Sequence, residues 1–354
     1  MGSRWFLGED RMAGGAAKFS SEEVEAVVGR YDVGAIQQTR ALSGGSREVP
    51  KLLVVTEGGK FLLKRRPKGK ANLAHVDFAH AVQSHLAADG FPVTMLMATH
   101  EDKSTIFERD NHIYELFKFV SGARYDGSAE ATLEAGRQLG RLHLDLTDFS
   151  TAEAGALRGS FHDSSTVRRH LRAAGGKKAG RPDRNLQQVV EVLMELYNES
   201  SVRVNELGFD SWPEQVVHGD WHPGNMLFRG HRLVAVLDFD SARVAPRVTD
   251  LANGMLQFSI VGGRPNPADW PDYLNEPKAL QFLDGYRQVT EPGDYELGSV
   301  VDLMIETMIA EAILPVAATG FFGPLSGLDF LKMILRKCRW INKHRRKLAE
   351  SIGA

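Results

Sequence analysis

The chain has 354 residues, 43% hydrophobic and 25% charged, enough to bury a large core and to divide into two lobes. A net charge of −2 argues against a general attraction to nucleic acid or anionic membrane. No run of about 20 apolar residues could span a bilayer, and Cys338, the only cysteine, excludes an intrachain disulfide. These features lead us to expect a soluble, cytoplasmic protein with no nucleic-acid or membrane partner.

Residues 1–17 read as a flexible leader. Ser20 or Ser21 can cap a short helix through Val28, with Glu22 and Glu23 in its first turn. Strands follow: Lys51 to Val55, a turn at Glu57-Gly58-Gly59, then Phe61 to Lys64. Before them, Ser43-Gly44-Gly45-Ser46 offers backbone N–H groups that could approach phosphates without Cβ obstruction. It is neither G-x-G-x-x-G nor a Walker sequence, which argues against dinucleotide-fold and P-loop readings.

Helical spacing from Phe78 to Leu86 ends at Gly90-Phe91-Pro92. Ile106-Phe107 and His112 to Phe117 read as two more strands, and Lys118-Phe119-Val120-Ser121-Gly122 leaves the sheet. A helical pattern runs from Ala129 to Leu146. Residues 151–210 carry Arg168, Arg169, Arg172, Lys177, Lys178, Arg181 and Arg184 ahead of an apolar helix through Val189 and Leu196. Such a charge run reads first as solvated surface, with an anionic-substrate role as the alternative.

The densest chemistry lies in Val216-Val217-His218-Gly219-Asp220-Trp221-His222-Pro223-Gly224-Asn225, closed by Asp238-Phe239-Asp240. Met226-Leu227-Phe228 and Leu233 to Leu237 predict a hairpin turning at Arg229-Gly230-His231, which returns Asp238 beside the loop. One carboxylate could then orient a hydroxyl, while an amide and a second carboxylate hold Mg²⁺ on ATP. Asp220 and Asn225 stand at the D-x-x-x-x-N spacing of kinase catalytic loops.

This stretch resembles the aminoglycoside/choline/homoserine kinase family of small-molecule phosphotransferases, nearest its homoserine kinase and spore-coat-kinase-like branch. The resemblance implies an α+β, two-lobed protein-kinase-like fold. A nucleotide-binding lobe of antiparallel sheet would span 18–117, and a helical catalytic and substrate lobe 118–354. It implies ATP and Mg²⁺ as cofactors, Asp220 as base, and Asn225 and Asp238 as catalytic metal ligands; Asp240 reads either as a further metal ligand or as a cap of the turn. Lys64 and the loop Ser43, Gly44, Gly45 and Ser46 would hold phosphate, and main-chain groups at Lys118 and Val120 would meet adenine. The family's glutamate on the small-lobe helix falls on His75 here, with Asp77 the nearest acid. Lys64 is therefore expected to bind phosphate without a carboxylate from that helix.

Asp250 reads as an N-cap and scaffold residue rather than as part of the chemistry. Pro315 and Gly320 read as helix breaks, and Glu306 and Glu311 as either an exposed stripe or acids facing a substrate cavity. After Asp238 no D-F-G or A-P-E segment appears, so a small-molecule hydroxyl is expected as the acceptor rather than a peptide. A metal-dependent phosphohydrolase using His218, Asp220, His222 and Asp238 is the alternative, and a silent nucleotide-binding scaffold the third reading. The acceptor's identity and the oligomeric state stay open.

Overall fold

A computed structural model describes residues 19–42, 49–70, 72–150, 155–175 and 184–353. The leader, the loop Ser43 to Ser46, and Lys177, Lys178 and Arg181 lie outside the described residues.

Strands β1 (Ile36–Ala41), β2 (Lys51–Thr56), β3 (Gly59–Pro67), β4 (Phe107–Arg109) and β5 (His112–Lys118) form one antiparallel sheet. The strand order is β1-β2-β3-β5-β4. The tight turn pairs Thr56 with Gly59, and that register carries down the ladder until Lys51 faces Lys64. Helix α1 (Ser21–Val28) starts on a capping box in which Ser20 and Glu23 satisfy each other's backbone N–H. Its Val24, Val27 and Val28 close a small core with Leu52, Val54, Phe61 and Leu63 of the sheet. Helix α2 (Leu73–Ala88) instead commits Phe78, Val82 and Leu86 to the larger core of the helical part.

That part contains α3 (Ala129–Asp145), the short strand β6 (Leu157–Arg158), α4 (Ser165–Gly175) and α5 (Arg184–Glu206). Strands β7 (Gln215–Val217), β8 (Met226–Arg229), β9 (Arg232–Val236) and β10 (Arg243–Ala245) frame the predicted loop. Helices α6 (Val248–Ser259), α7 (Glu276–Arg287), α8 (Asp294–Thr319) and α9 (Gly327–Ile352) complete the chain. Where α3 crosses α7, a Cβ on Gly136 would fall 1.9 Å from the Phe282 carbonyl oxygen, and one on Gly285 1.9 Å from that of Leu133. Only glycine allows this backbone approach.

Two ladders pin the loop ends. β7 pairs with β10, with Val217 opposite Arg243, and β8 pairs with β9, with Met226 opposite Val236. The hairpin therefore turns at Gly230, as the sequence predicts.

Pro315 does not end its helix. It lies inside α8, which is buried almost continuously from Glu296 to Ile313, and this packing offsets the hydrogen bond that proline removes. Glu306 and Glu311 are both buried on α8, so the exposed-stripe reading gives way. Among the described residues no helix is long and apolar enough to cross a membrane.

Candidate active site

The loop from His218 to Asn225 is shaped from below by Asp250. Its carboxylate accepts the His218 N–H at 2.6 Å and the Gly219 N–H at 2.8 Å. Asp250 is 1% exposed and sits in the first turn of α6, whose N-cap is Arg247. The expected N-cap is thus corrected: the carboxylate serves the amides of a distant segment rather than its own helix.

His218 joins the loop to the returning strand. Its Nδ1 accepts the Asp220 N–H at 3.2 Å, which leaves Nε2 to donate to the Leu237 carbonyl at 3.2 Å. Burial pulls its pKa below the usual imidazole value, keeping the neutral ring that this pattern needs. Gly219 has φ +74°, and a Cβ there would strike the Ser241 carbonyl oxygen at 2.3 Å. His222 Nδ1 accepts the Gly224 N–H at 3.0 Å and shapes the turn into Asn225.

Asn225 Nδ2 donates to the Asp220 carbonyl and to Asp220 Oδ2, both at 3.1 Å. Burial works against the Asp220 charge, but His222, His218 and the Asn225 amide outweigh it and hold its pKa below the ordinary carboxylate value. Asp238, at the end of the hairpin, adopts a left-handed backbone with φ +62° and has an exposed carboxylate. Its Oδ1 lies 3.8 Å from Lys64 Nζ, so the sheet and the loop meet at these two residues.

Lys64 is 6% exposed, and Asp240 Oδ2 stands 2.9 Å from its Nζ. Burial disfavours the ammonium charge, while Glu115, Asp240 and Asp238 together raise the pKa above the ordinary lysine value. Lys64 therefore does have carboxylate partners, and they come from outside helix α2. Asp77 is exposed and takes no part. His75 meets the turn directly, its ring nitrogens 2.8 Å from the Asp240 carbonyl oxygen and 3.1 Å from that of Gly155.

Two further residues complete the cluster. Arg66 Nη2 bonds Glu115 Oε1 at 2.9 Å and Asp240 Oδ1 at 3.1 Å, and its Nη1 bonds Asp240 Oδ2 at 3.1 Å. Both Asp240 oxygens are thus engaged by cations. Glu115 lies opposite Lys64 on β5, is 1% exposed, and also bonds His80 Nε2 at 2.9 Å. The sequence reading missed Arg66, Glu115 and Lys51. Strand alternation from Lys64 points to Arg66, and the hairpin register points to Lys51. The pairing of β3 with β5 crosses a long connection, which left Glu115 hidden.

The Lys118 N–H is taken by the Met95 carbonyl at 2.8 Å, so it is not free to meet a ligand. Beside the loop, Gly219, Arg243, Asp250, Asn253, Ser160 and Thr307 line a recess. Glu311 lies close enough to Asp220 to interact electrostatically, and one oxygen accepts from Gln257 Nε2 at 2.5 Å. Burial raises its pKa well above the ordinary value.

The donor set fits a hard divalent cation. Asn225 turns its Nδ2 to Asp220, leaving the amide oxygen as an acceptor, and Asp238 at the end of the hairpin offers an exposed carboxylate. Among the described residues no three His, Cys, Asp or Glu side chains gather as a complete cage. A cation held partly by nucleotide phosphates needs only one or two protein oxygens.

The partners of Lys64 predict a clear contrast. Asp77→Ala should leave ATP affinity and turnover within about threefold, the scale of a surface change. Lys64→Ala should weaken both by roughly ten- to hundredfold, the scale of losing a charged hydrogen bond. Nucleotide titration and steady-state kinetics on both variants check this, and a comparable, non-additive loss in Asp77→Ala would contradict it.

The chain is similar to known proteins in sequence and in fold. Residues 38–288 match the Phosphotransferase enzyme family (APH). The chain is 27% identical over 273 residues to the homoserine kinase of Zymomonas mobilis subsp. mobilis, covering 76% of this chain and 78% of that protein. It is 25% identical over 326 residues to the homoserine kinase of Bradyrhizobium diazoefficiens, covering 91% and 86%. Among solved structures, the amicoumacin kinase hAmiN superimposes with a TM-score of 0.68 at 15% identity, covering 92% of this chain and 94% of that one. A microcompartment-associated aminopropanol kinase gives 0.68 at 15% identity, covering 93% and 99%. The sheet, the helical part and the cleft between them are those of a kinase-like α+β fold. The family match covers well over half of the chain, and with the loop geometry it leads to one conclusion: this protein belongs to the phosphotransferase enzyme family.

Proposed function

We propose that this phosphotransferase moves the γ-phosphoryl group of ATP to a hydroxyl of a small acceptor seated beside Asp220. The observation that carries this reading is the joining of Asp220, Asn225, Asp238 and Lys64 in one cleft. Asn225 Nδ2 lies 3.1 Å from Asp220 Oδ2, and Lys64 Nζ lies 3.8 Å from Asp238 Oδ1.

With Asp220 Oδ2 bonded to Asn225, the free Oδ1 orients the acceptor hydroxyl and accepts its proton as the oxygen attacks. Asn225 and Asp238 hold Mg²⁺, which when bound supplies charge neutralisation to the phosphates. Asp240 joins them only by releasing Lys64 and Arg66. Lys64 and the loop Ser43 to Ser46 hold phosphate, and the adenine edge meets main chain at Val120, where the chain leaves the sheet. We place the lobe division there, between residues 117 and 118. The chain's homoserine kinase relatives favour an amino-acid-like or amino-alcohol acceptor in the recess by Gly219 and Arg243. Such chemistry suits the reducing cytoplasm, where a lone buried cysteine stays a thiol.

The test is Asp238→Ala. Calorimetric titration should show nucleotide binding in the presence of Mg²⁺ weakened at least about tenfold, while binding without metal changes little, as for loss of a metal ligand. Normal Mg²⁺-dependent binding would remove Asp238 from the metal site. A screen of small hydroxyl compounds for ADP release then identifies the acceptor.

A further inference from the structure

Lys51 and Lys64 are direct cross-strand partners on β2 and β3, so their side chains leave the same face of the sheet. Cβ atoms of such partners lie about 5 Å apart, and like charges placed so are destabilising. Arg66, two residues along β3, adds a third cation to this face. The acids nearby are already engaged. Asp240 bonds Lys64 at 2.9 Å and Arg66 at 3.1 Å, and Glu115 bonds Arg66 and His80, both at 2.9 Å. Asp238 Oδ1 stands 3.8 Å from Lys64 and is the proposed metal ligand.

Lys51 has no carboxylate within 4.0 Å among the described residues, although it is partly buried. Burial lowers its pKa; Asp238 opposes that, and Lys64 adds to it. A partly desolvated cation facing another cation is costly unless a ligand compensates it. Lys51 also opens β2, a few residues after the glycine-containing segment read from sequence as a phosphate approach.

We propose that Lys51 is a second nucleotide-binding lysine, forming with Lys64 a two-lysine clasp around the polyphosphate of the nucleotide. The proposal rests on the cleft being the nucleotide site. It separates two roles for one face of the sheet. Lys64 is oriented by Asp240 and Glu115, whereas Lys51 is left for an incoming polyanion. The alternative is a lysine that merely extends its ammonium to solvent, and that role would not depend on the number of phosphates in the ligand.

Calorimetric titrations of the wild type, Lys51→Ala and Lys51→Arg with ATP·Mg, ADP·Mg and AMP distinguish the two. Lys51→Ala should weaken ATP·Mg by about ten- to hundredfold, the range for a lost charge-assisted hydrogen bond, ADP·Mg by less, and AMP by under about threefold. Lys51→Arg should recover most of the loss. An equal loss for all three ligands, or no loss, overturns the proposal.

A measurement on the unaltered protein stands beside it in case Lys51→Ala folds poorly. ATP·Mg should protect Lys51 from a water-soluble acylating ester, read by peptide mass spectrometry, and adenosine should not. Equal protection by adenosine, or none by ATP·Mg, is the contrary result. If the wild type binds no ATP·Mg, the nucleotide reading of the cleft fails and takes this proposal with it. If wild type and Lys51→Ala bind it alike, only the clasp fails.

Discussion

Asp220→Ala should lower turnover by roughly 10²–10⁴, the scale for removing a positioned base, while ATP affinity stays close to that of the wild type. The distinction follows from the geometry. The Asp220 side chain engages Asn225 and lies near His222, with Oδ2 3.5 Å from the His222 ring, whereas the carboxylates paired with Lys64 among the described residues are those of Asp238 and Asp240. The loop backbone would persist in the variant, because Asp250 still receives the His218 and Gly219 amides and His218 still joins Leu237. ADP release with a saturating acceptor, together with nucleotide titration, makes the comparison. Phosphoryl transfer at the wild-type rate in Asp220→Ala would overturn the proposed base.

Glu115→Gln should be the most destabilising conservative change in the cleft, costing about 3–5 kcal/mol, as when one partner of a buried ion pair is removed. The amide keeps the shape but leaves Arg66 and Lys64 short of negative charge beneath the sheet. Burial alone would raise the Glu115 pKa; Lys64, the His80 hydrogen bond and Arg66 bring it from 4.5 to about 2. A carboxylate with a depressed pKa stabilises the fold fully above its unfolded value and loses that contribution as pH falls through its folded value. The gap in melting temperature between wild type and Glu115→Gln should therefore be widest above about pH 5 and close toward pH 2. A gap that does not vary with pH would show that the Glu115 charge is not the stabilising element. ATP affinity should fall as well, because Glu115 helps hold Lys64 in its charged form.

Much of the catalytic loop was legible because its partners are near in sequence. Asn225 stands five positions after Asp220, and a short hairpin returns Asp238 to them. Glycine, proline and strand patterning constrain such local geometry with little help from the rest of the molecule. The Lys51–Lys64 pairing was missed although its signal is equally local, since one tight turn sets the whole register. Several strands and helices were likewise readable from periodicity, as was the capped start of α1 at Ser20, whereas their assembly into an antiparallel sheet and a helical part came from the family resemblance.

The surroundings of Lys64 were decided by tertiary packing. Its carboxylates come from position 240, beyond the hairpin, and from β5, which reaches β3 only across α2 and a long connection. The helix that was expected to offer an acid docks through the His75 ring on two main-chain oxygens, and it turns Asp77 to solvent. Asp250 could be recognised in sequence as a scaffold residue, but the two amides it holds lie about thirty residues upstream. Helix α8 makes the same point: buried on nearly every side, it presents no polar face from which to infer where Glu306 and Glu311 point. Local spacing determines which groups share a loop, whereas the burial and ionisation of those groups depend on segments that only the folded chain brings together.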